Sequence, residues 1–329
     1  MLRPALCFAL LSISAAAFAA DLRSDSVEKT FKAADGGRLV IETDRGSLAV
    51  SGHDSDEVRV TVNRKVVRGS DSAAAEVLKD HKVEFSQDGG VIRVICDLPG
   101  TDSWGFGKPQ LEIDIQAQVP RRFNVEATTA GGSVTARQIK GAVLLKTSGG
   151  SLHIDSIEGS LQGKTSGGSI RASDLSGEID LHTSGGSISI DKASGSALKA
   201  NTSGGSIRLV GISSPADVKT SGGSIEVEAT AGPLTAGTSG GSIRAEFSQP
   251  LKGDVVLKTS AGGITVALPG SAAVNLDAST SAGSVRSDFA VDGGSNDGKD
   301  RSSLKGSING GGPALRLRTS AGSIKIRRQ

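Results

Sequence analysis

Residues 165–170 read Thr-Ser-Gly-Gly-Ser-Ile, and the same turn or a close variant starts at Thr129, Thr147, Thr183, Thr202, Thr220, Thr238, Thr259, Thr280 and Thr319. The first seven copies follow one another at steps of 18 or 19 residues. The next two come at steps of 21, and Thr319 follows after 39, which reads as two layers with an insertion. A fainter copy, "TDRGSL", begins at Thr43. A fixed period of this length is the signature of a repeat architecture, in which each unit buries its apolar face only against its neighbours.

Each unit holds two alternating stretches. In "SIRASDLSGEIDLHTSGG" (169–186) the first sets Ile170 and Ala172 against Ser169, Arg171 and Ser173, and the second sets Ile179, Leu181 and Thr183 against Glu178, Asp180 and His182. A period of two marks strands with one buried face. Leu175, with Ile157, Ala193 and Ile212 in neighbouring units, supplies a third inward point at a corner. The pattern predicts an all-β, single-stranded parallel β-solenoid, right-handed, with about 18 residues per coil at the ~4.8 Å spacing of paired strands. The hexapeptide left-handed helix is excluded, because counting by six from Leu152 meets Glu158 and Lys164. The calcium-binding nonapeptide roll is excluded because the turns carry no Asp.

The repeated Thr keeps the parity of the aliphatics before it, as in Val143, Leu145, Thr147 and Leu198, Ala200, Thr202. It is therefore expected to point inward, methyl on the core and hydroxyl on the turn backbone. The two glycines are expected to reverse the chain through positive φ. A buried hydroxyl without a partner costs about 1–3 kcal/mol, so the motif reads as structural rather than as a nucleophile or a phosphate loop.

Composition agrees with such a core. Aromatic residues are 3% of the 329, with no Tyr and one Trp, while 45 are Gly. The net charge is +2 with both signs well mixed, which does not point to nucleic acid. Residues 1–19 carry Arg3, a short apolar run from Ala5 to Ala17 and a small-residue "AFA" site, the pattern of a cleaved signal peptide. An exported protein, periplasmic or extracellular, is expected. Removal of Cys7 leaves Cys96, read as a small buried hydrophobe.

Residues 20–128 lack the regular turn. They read as further strands and a short helix at 73–81, forming the first irregular coils and an N-terminal cap. Residues 98–110 form a glycine-rich loop with the single Trp104, and 287–306 are expected as a polar loop insertion in the 129–329 repeat array.

The chain offers no catalytic signature. No pair of its four His residues has metal-ligand spacing, and G-x-S-x-G, H-E-x-x-H, Walker and dinucleotide motifs are lacking. No cofactor is expected. Polysaccharide lyases and hydrolases do use solenoids, and Glu226 and Glu228, about 7 Å apart on one strand face, are the carboxylates such an enzyme would need. Two outward columns lean basic. One contains Lys146, Lys164 and Lys219, and the other Arg171, Arg208 and Arg244. Like charges ~4.8 Å apart repel by about 0.9 kcal/mol even in water, so a stripe of this kind suits an anionic polymer such as a surface glycan. Trp104 is a candidate sugar or partner contact. The plain alternative is a solvated face on a structural envelope spacer.

The segments "GGRLVIETDRGSLAVSGHDSDEVRV" and "VPRRFNVEATTAGGSVTARQIKG", with the serial "KTSGGSI" turns, resemble a bacterial β-strand repeat-containing family of unknown function, often labelled adhesin-like. The resemblance covers nearly all of residues 29–328. It implies an envelope-associated β-solenoid, and it carries over no catalytic residues. The combined expectation is a non-enzymatic, exported, adhesin-like binding or scaffold protein, contacting a glycan, another anionic polymer or envelope proteins. The alternative is a carbohydrate-active enzyme.

Overall fold

The structure, a computed structural model, describes residues 23–33, 35–97, 110–230, 232–293 and 302–329. The expected signal peptide and Trp104 lie outside these. The chain is all-β, with one helix among the described residues. Corresponding strands of successive repeats pair in parallel, one above another. On one face, here the front, Val143 pairs with Leu161 and Leu161 with Ile179. On the other, the back, Leu152 pairs with Ile170 and Ile170 with Ile188. The pairing therefore steps through the sequence by 18 residues. Inward residues from both faces and the corner positions Ile157, Leu175, Ala193 and Ile212 form one continuous aliphatic core.

The Thr of each turn is buried and bonded between layers. Thr165 Oγ1 donates to Gly150 O at 2.8 Å and accepts from Gly168 N at 3.2 Å. Thr147, Thr183, Thr202, Thr220 and Thr238 repeat this arrangement. A serine ladder runs alongside, with Ser169 N donating to Ser151 Oγ at 3.2 Å.

The glycines have a different role from the expected one. Neither glycine of these turns occupies the left-handed region. The second is required by close approach, since a Cβ on Gly150 would lie 2.0 Å from Gly132 O and one on Gly168 1.9 Å from Gly150 O. Positive φ falls at the opposite corner, where the back strand turns to the front. There Gln138, Ser156, Asp174, Lys192 and Ala229 have φ of 50–60°.

The N-terminal region extends the stack. Arg38–Thr43 and Ser47–His53, joined by the "TDRGSL" turn, form a layer in register with the repeats, with Thr43 on Thr129 and Leu48 on Val134. Val91–Asp97 and Leu111–Pro120 add one more parallel layer. Antiparallel strands Lys82–Asp88, Glu57–Val66 and Ser24–Lys32 then close this end. Helix α1 (Asp71–Asp80) starts two residues before the expected position, because Ser70 Oγ caps it by accepting from Ala73 N.

The far end departs from sequence order. Val255–Thr259 pairs with Ala314–Ala321, and Val274–Ala282 lies beyond that strand. On the back, Ile324–Arg328 sits between Ile264–Leu268 and Val285–Ser287. The layer holding Thr319 is thus inserted between those of Thr259 and Thr280. Of the expected loop 287–306, residues 294–301 lie outside the described ones. The remainder is partly ordered against the stack: Ser303–Ile308 is an antiparallel strand on Val274–Ala282, and Phe289 is buried beneath the Arg328 guanidinium.

Candidate functional site

The register assigns the candidate binding residues to two faces. Lys146, Lys164 and Lys219 are on the front, in a column that continues through Gly237 to Lys258 and Arg318. Arg171, Arg208 and Arg244 are on the back. No single ligand stripe can use both sets.

The two faces also differ in how their charges are satisfied. On the back, Arg208 donates to Glu226 and, at 3.0 Å, to Glu228. The Glu226 hydrogen bond and charge, with the charge of Glu228, hold the guanidinium pKa up. Arg244 Nη2 lies 2.7 Å from Glu246 Oε1. Asp155 accepts from Ser173 Oγ at 2.6 Å. On the back, Arg208 is thus paired across layers and Arg244 along its own strand. On the front, Lys219 reaches Asp217 at 3.0 Å and Arg318 reaches Asp277 at 2.6 Å. Lys146, Lys164 and Lys258 have no carboxylate within ion-pair distance among the described residues. Of the three back-face candidates, only Arg171 shares that condition.

This geometry weakens the enzymatic alternative at Glu226 and Glu228. Both are bound to one guanidinium, so neither carboxylate stands free to meet a glycosidic bond. Among the described residues no cluster of three or more His, Cys, Asp or Glu is placed to hold a metal. Cys96 is buried, and burial pushes its thiol up to about 12, so it behaves as a core residue.

Sequence reasoning grouped the cations without their carboxylate partners. The signal was present: Asp217–Lys219, Arg244–Glu246 and Glu226–Glu228 are i, i+2 pairs, which share a face of a strand. Cross-layer pairing such as Arg208 with Glu226 follows from the 18-residue offset. Lys258 stands in the same front column, one layer beyond Gly237.

An all-β repeat stack with buried Thr turns defines a solenoid-like class of repeat protein. The Toastrack DUF4097 family profile matches residues 114–327, and the chain belongs to that family. No curated protein matches it. Solved structures that match the chain include a candidate cell adhesion protein from Clostridium sporogenes, 13% identical, covering 93% of this chain and all of that one, at a TM-score of 0.23. A candidate adhesin from Bacteroides fragilis is 11% identical over 92% and 97% of the two chains, at 0.37. A candidate lipid-binding protein from Parabacteroides distasonis is 14% identical over 92% and 96%, at 0.41. Among the described residues no helix is long and apolar enough to cross a membrane.

Proposed function

We propose that this protein is an exported, non-enzymatic, adhesin-like binding protein of the bacterial cell envelope, and that its front face holds an anionic polymer such as a surface glycan. The observation that carries the reading is the charge asymmetry between faces. Lys146, Lys164 and Lys258 project from the front without carboxylate partners, whereas Arg208 and Arg244 on the back are neutralised by Glu226, Glu228 and Glu246. Lys219 stands in the same front column, in a pair with Asp217. Export rests on the signal-peptide pattern of residues 1–19, and the 20–128 cap with the 129–329 array is the domain division this reading uses. A right-handed, single-stranded coil of about 18 residues is the architecture that fits the 18-residue register. A rigid rod with a repeating cationic column suits avidity toward a repeating polyanion.

The test is retention on immobilised polygalacturonate at low salt. Lys146→Gln/Lys164→Gln/Lys258→Gln should weaken retention at least tenfold, and Arg208→Gln/Arg244→Gln should change it less than twofold. Raising salt should weaken the wild type, as screening of exposed charges requires. Wild-type protein that passes through unretained would leave the spacer reading in place.

A further inference from the structure

Beside the lysine column, at the N-terminal part of the front face, lies an open concavity of about 540 Å³. Its floor is the column one position inward along each strand from the lysines' neighbours: Leu144, Gln162, Asp180 and Lys199, one per layer, with Glu178 entering from the corner. One end is fixed. Arg38 pairs with Glu126, and the Asn124 side chain accepts from Ala142 N at 2.9 Å while donating to Gly36 O at 3.1 Å. At the other end Gln162, Glu178, Asp180 and Lys199 make no side-chain hydrogen bond or ion pair with any described residue. On the back face of the same layers Asp155 accepts from Ser173 Oγ at 2.6 Å.

We infer that this concavity is a subsite for an acidic sugar unit, a uronate residue of a glycan. The ring's C–H face would lie on Leu144 and its hydroxyls on Gln162, Asp180 and Lys199. Sugar hydroxyls both donate and accept, and the free groups here are an amide, two carboxylates and an ammonium, which supply both kinds of partner. A half-buried leucine between polar groups matches a ring that is apolar on its face and polar on its rim. The ligand's acid group does not belong inside. Arg38 and Glu126 cancel, and Glu178 with Asp180 outweigh Lys199 by one negative charge. The carboxylate is directed instead to Lys146 and Lys164, two residues further along the strands of Leu144 and Gln162, about 7 Å away. That is close to the span of one pyranose with its acid substituent.

This inference rests on the anionic-polymer reading and adds the sugar to it. Two probes separate them: polyphosphate, which offers charge without a ring, and trigalacturonate, which offers both. Affinities are measured calorimetrically on the chain from residue 20. Leu144→Ser/Gln162→Ala keeps the charge unchanged. It should bind polyphosphate like the wild type and trigalacturonate at least tenfold more weakly. Lys146→Gln/Lys164→Gln should lose affinity for both. If the Leu144/Gln162 variant binds trigalacturonate as the wild type does, or if the wild type holds polyphosphate but not trigalacturonate, the sugar subsite is wrong and the polyanion reading survives. If the wild type holds neither, both are wrong. Far-ultraviolet circular dichroism and the denaturation midpoint confirm that each variant is folded.

Discussion

Gly150 and Gly149 stand side by side in one turn and face opposite constraints. A Cβ on Gly150 would approach Gly132 O to 2.0 Å, against backbone that cannot swing aside, whereas one on Gly149 would meet Gly131 O at an ordinary 3.7 Å. Gly150→Ala must therefore spread two layers and break the Thr147 hydroxyl bonds beside it, for a loss of about 3 kcal/mol or more. Gly149→Ala is expected to change stability by less than about 1 kcal/mol. Urea denaturation midpoints of the two variants check this, and equal losses would show that layer contact is not what keeps the second glycine. Burial of the turn threonine was legible from parity alone, because Thr165 follows Leu161 and Gly163 at alternate positions. The reason for the glycines was not. A sequence shows that two residues lack side chains, but not that another layer's carbonyl fills the space. The same limit hid the left-handed corner, where Ser156, Asp174, Lys192 and Ala229 show no shared residue type.

At the scale of elements, the N-terminal closing strands and helix α1 are joined through one buried cation. Arg64 donates to Asp25 of the first strand, to Leu78 O at 3.1 Å and to His81 O at 2.8 Å, and its Nη1 lies 3.3 Å from His81 Nδ1. His81 Nδ1 therefore accepts, the ring is neutral, and its buried Nε2 has no partner. Burial first, then the Arg64 charge, lowers the His81 pKa below 6.5, with smaller effects from Asp44, Arg45 and Asp25. Between the lowered folded value and 6.5 the unfolded chain binds more protons. The contribution of His81 to stability is thus complete above pH 6.5 and is lost as pH falls through the folded pKa. The denaturation midpoint of the wild type should fall between pH 7.5 and 5, and that of His81→Leu should fall less over the same interval. Parallel slopes would place the acid sensitivity elsewhere. Strands here were legible by alternation, in Glu57–Val66 and Leu111–Pro120 alike. Their antiparallel pairing was not, since it depends on which edge each strand reaches after the helix and the 98–109 segment.

On the scale of the whole molecule, the repeat conceals the order of its own layers. Every turn threonine fits on every other, so periodicity permits Thr259 to carry either Thr280 or Thr319 above it. The structure places Thr319 next, and Thr280 beyond it. Local composition could not reveal this exchange, because the two candidate layers present the same buried positions. What distinguishes them is chemistry between the Thr259 and Thr319 layers: Asp254 Oδ1 accepts from Ala314 N at 2.9 Å, and Asp254 Oδ2 lies 3.5 Å from Arg316 Nη1. Arg318 Nη2 then donates to Asp277 Oδ2 of the Thr280 layer at 2.6 Å, and this side-chain hydrogen bond is the first cause holding the Asp277 carboxyl below its usual range. Likewise, both faces were readable as basic columns, but which cations are paired, Arg208 and Arg244 on the back and Lys219 and Arg318 on the front, required the fold. The exchanged order has a measurable consequence. Residues near the end of a chain normally fray and exchange their amide hydrogens fast. Here Leu317 and Ile324 are paired on both sides and fully buried, as Leu257 and Ile264 are. Their amides should exchange within about tenfold of those of Leu257 and Ile264, while residues in the edge strand Ser303–Ile308 should exchange about a hundredfold faster. Exchange of Leu317 and Ile324 at the rate of that edge strand would mean that the Thr280 layer, rather than the Thr319 layer, sits directly on Thr259 in solution.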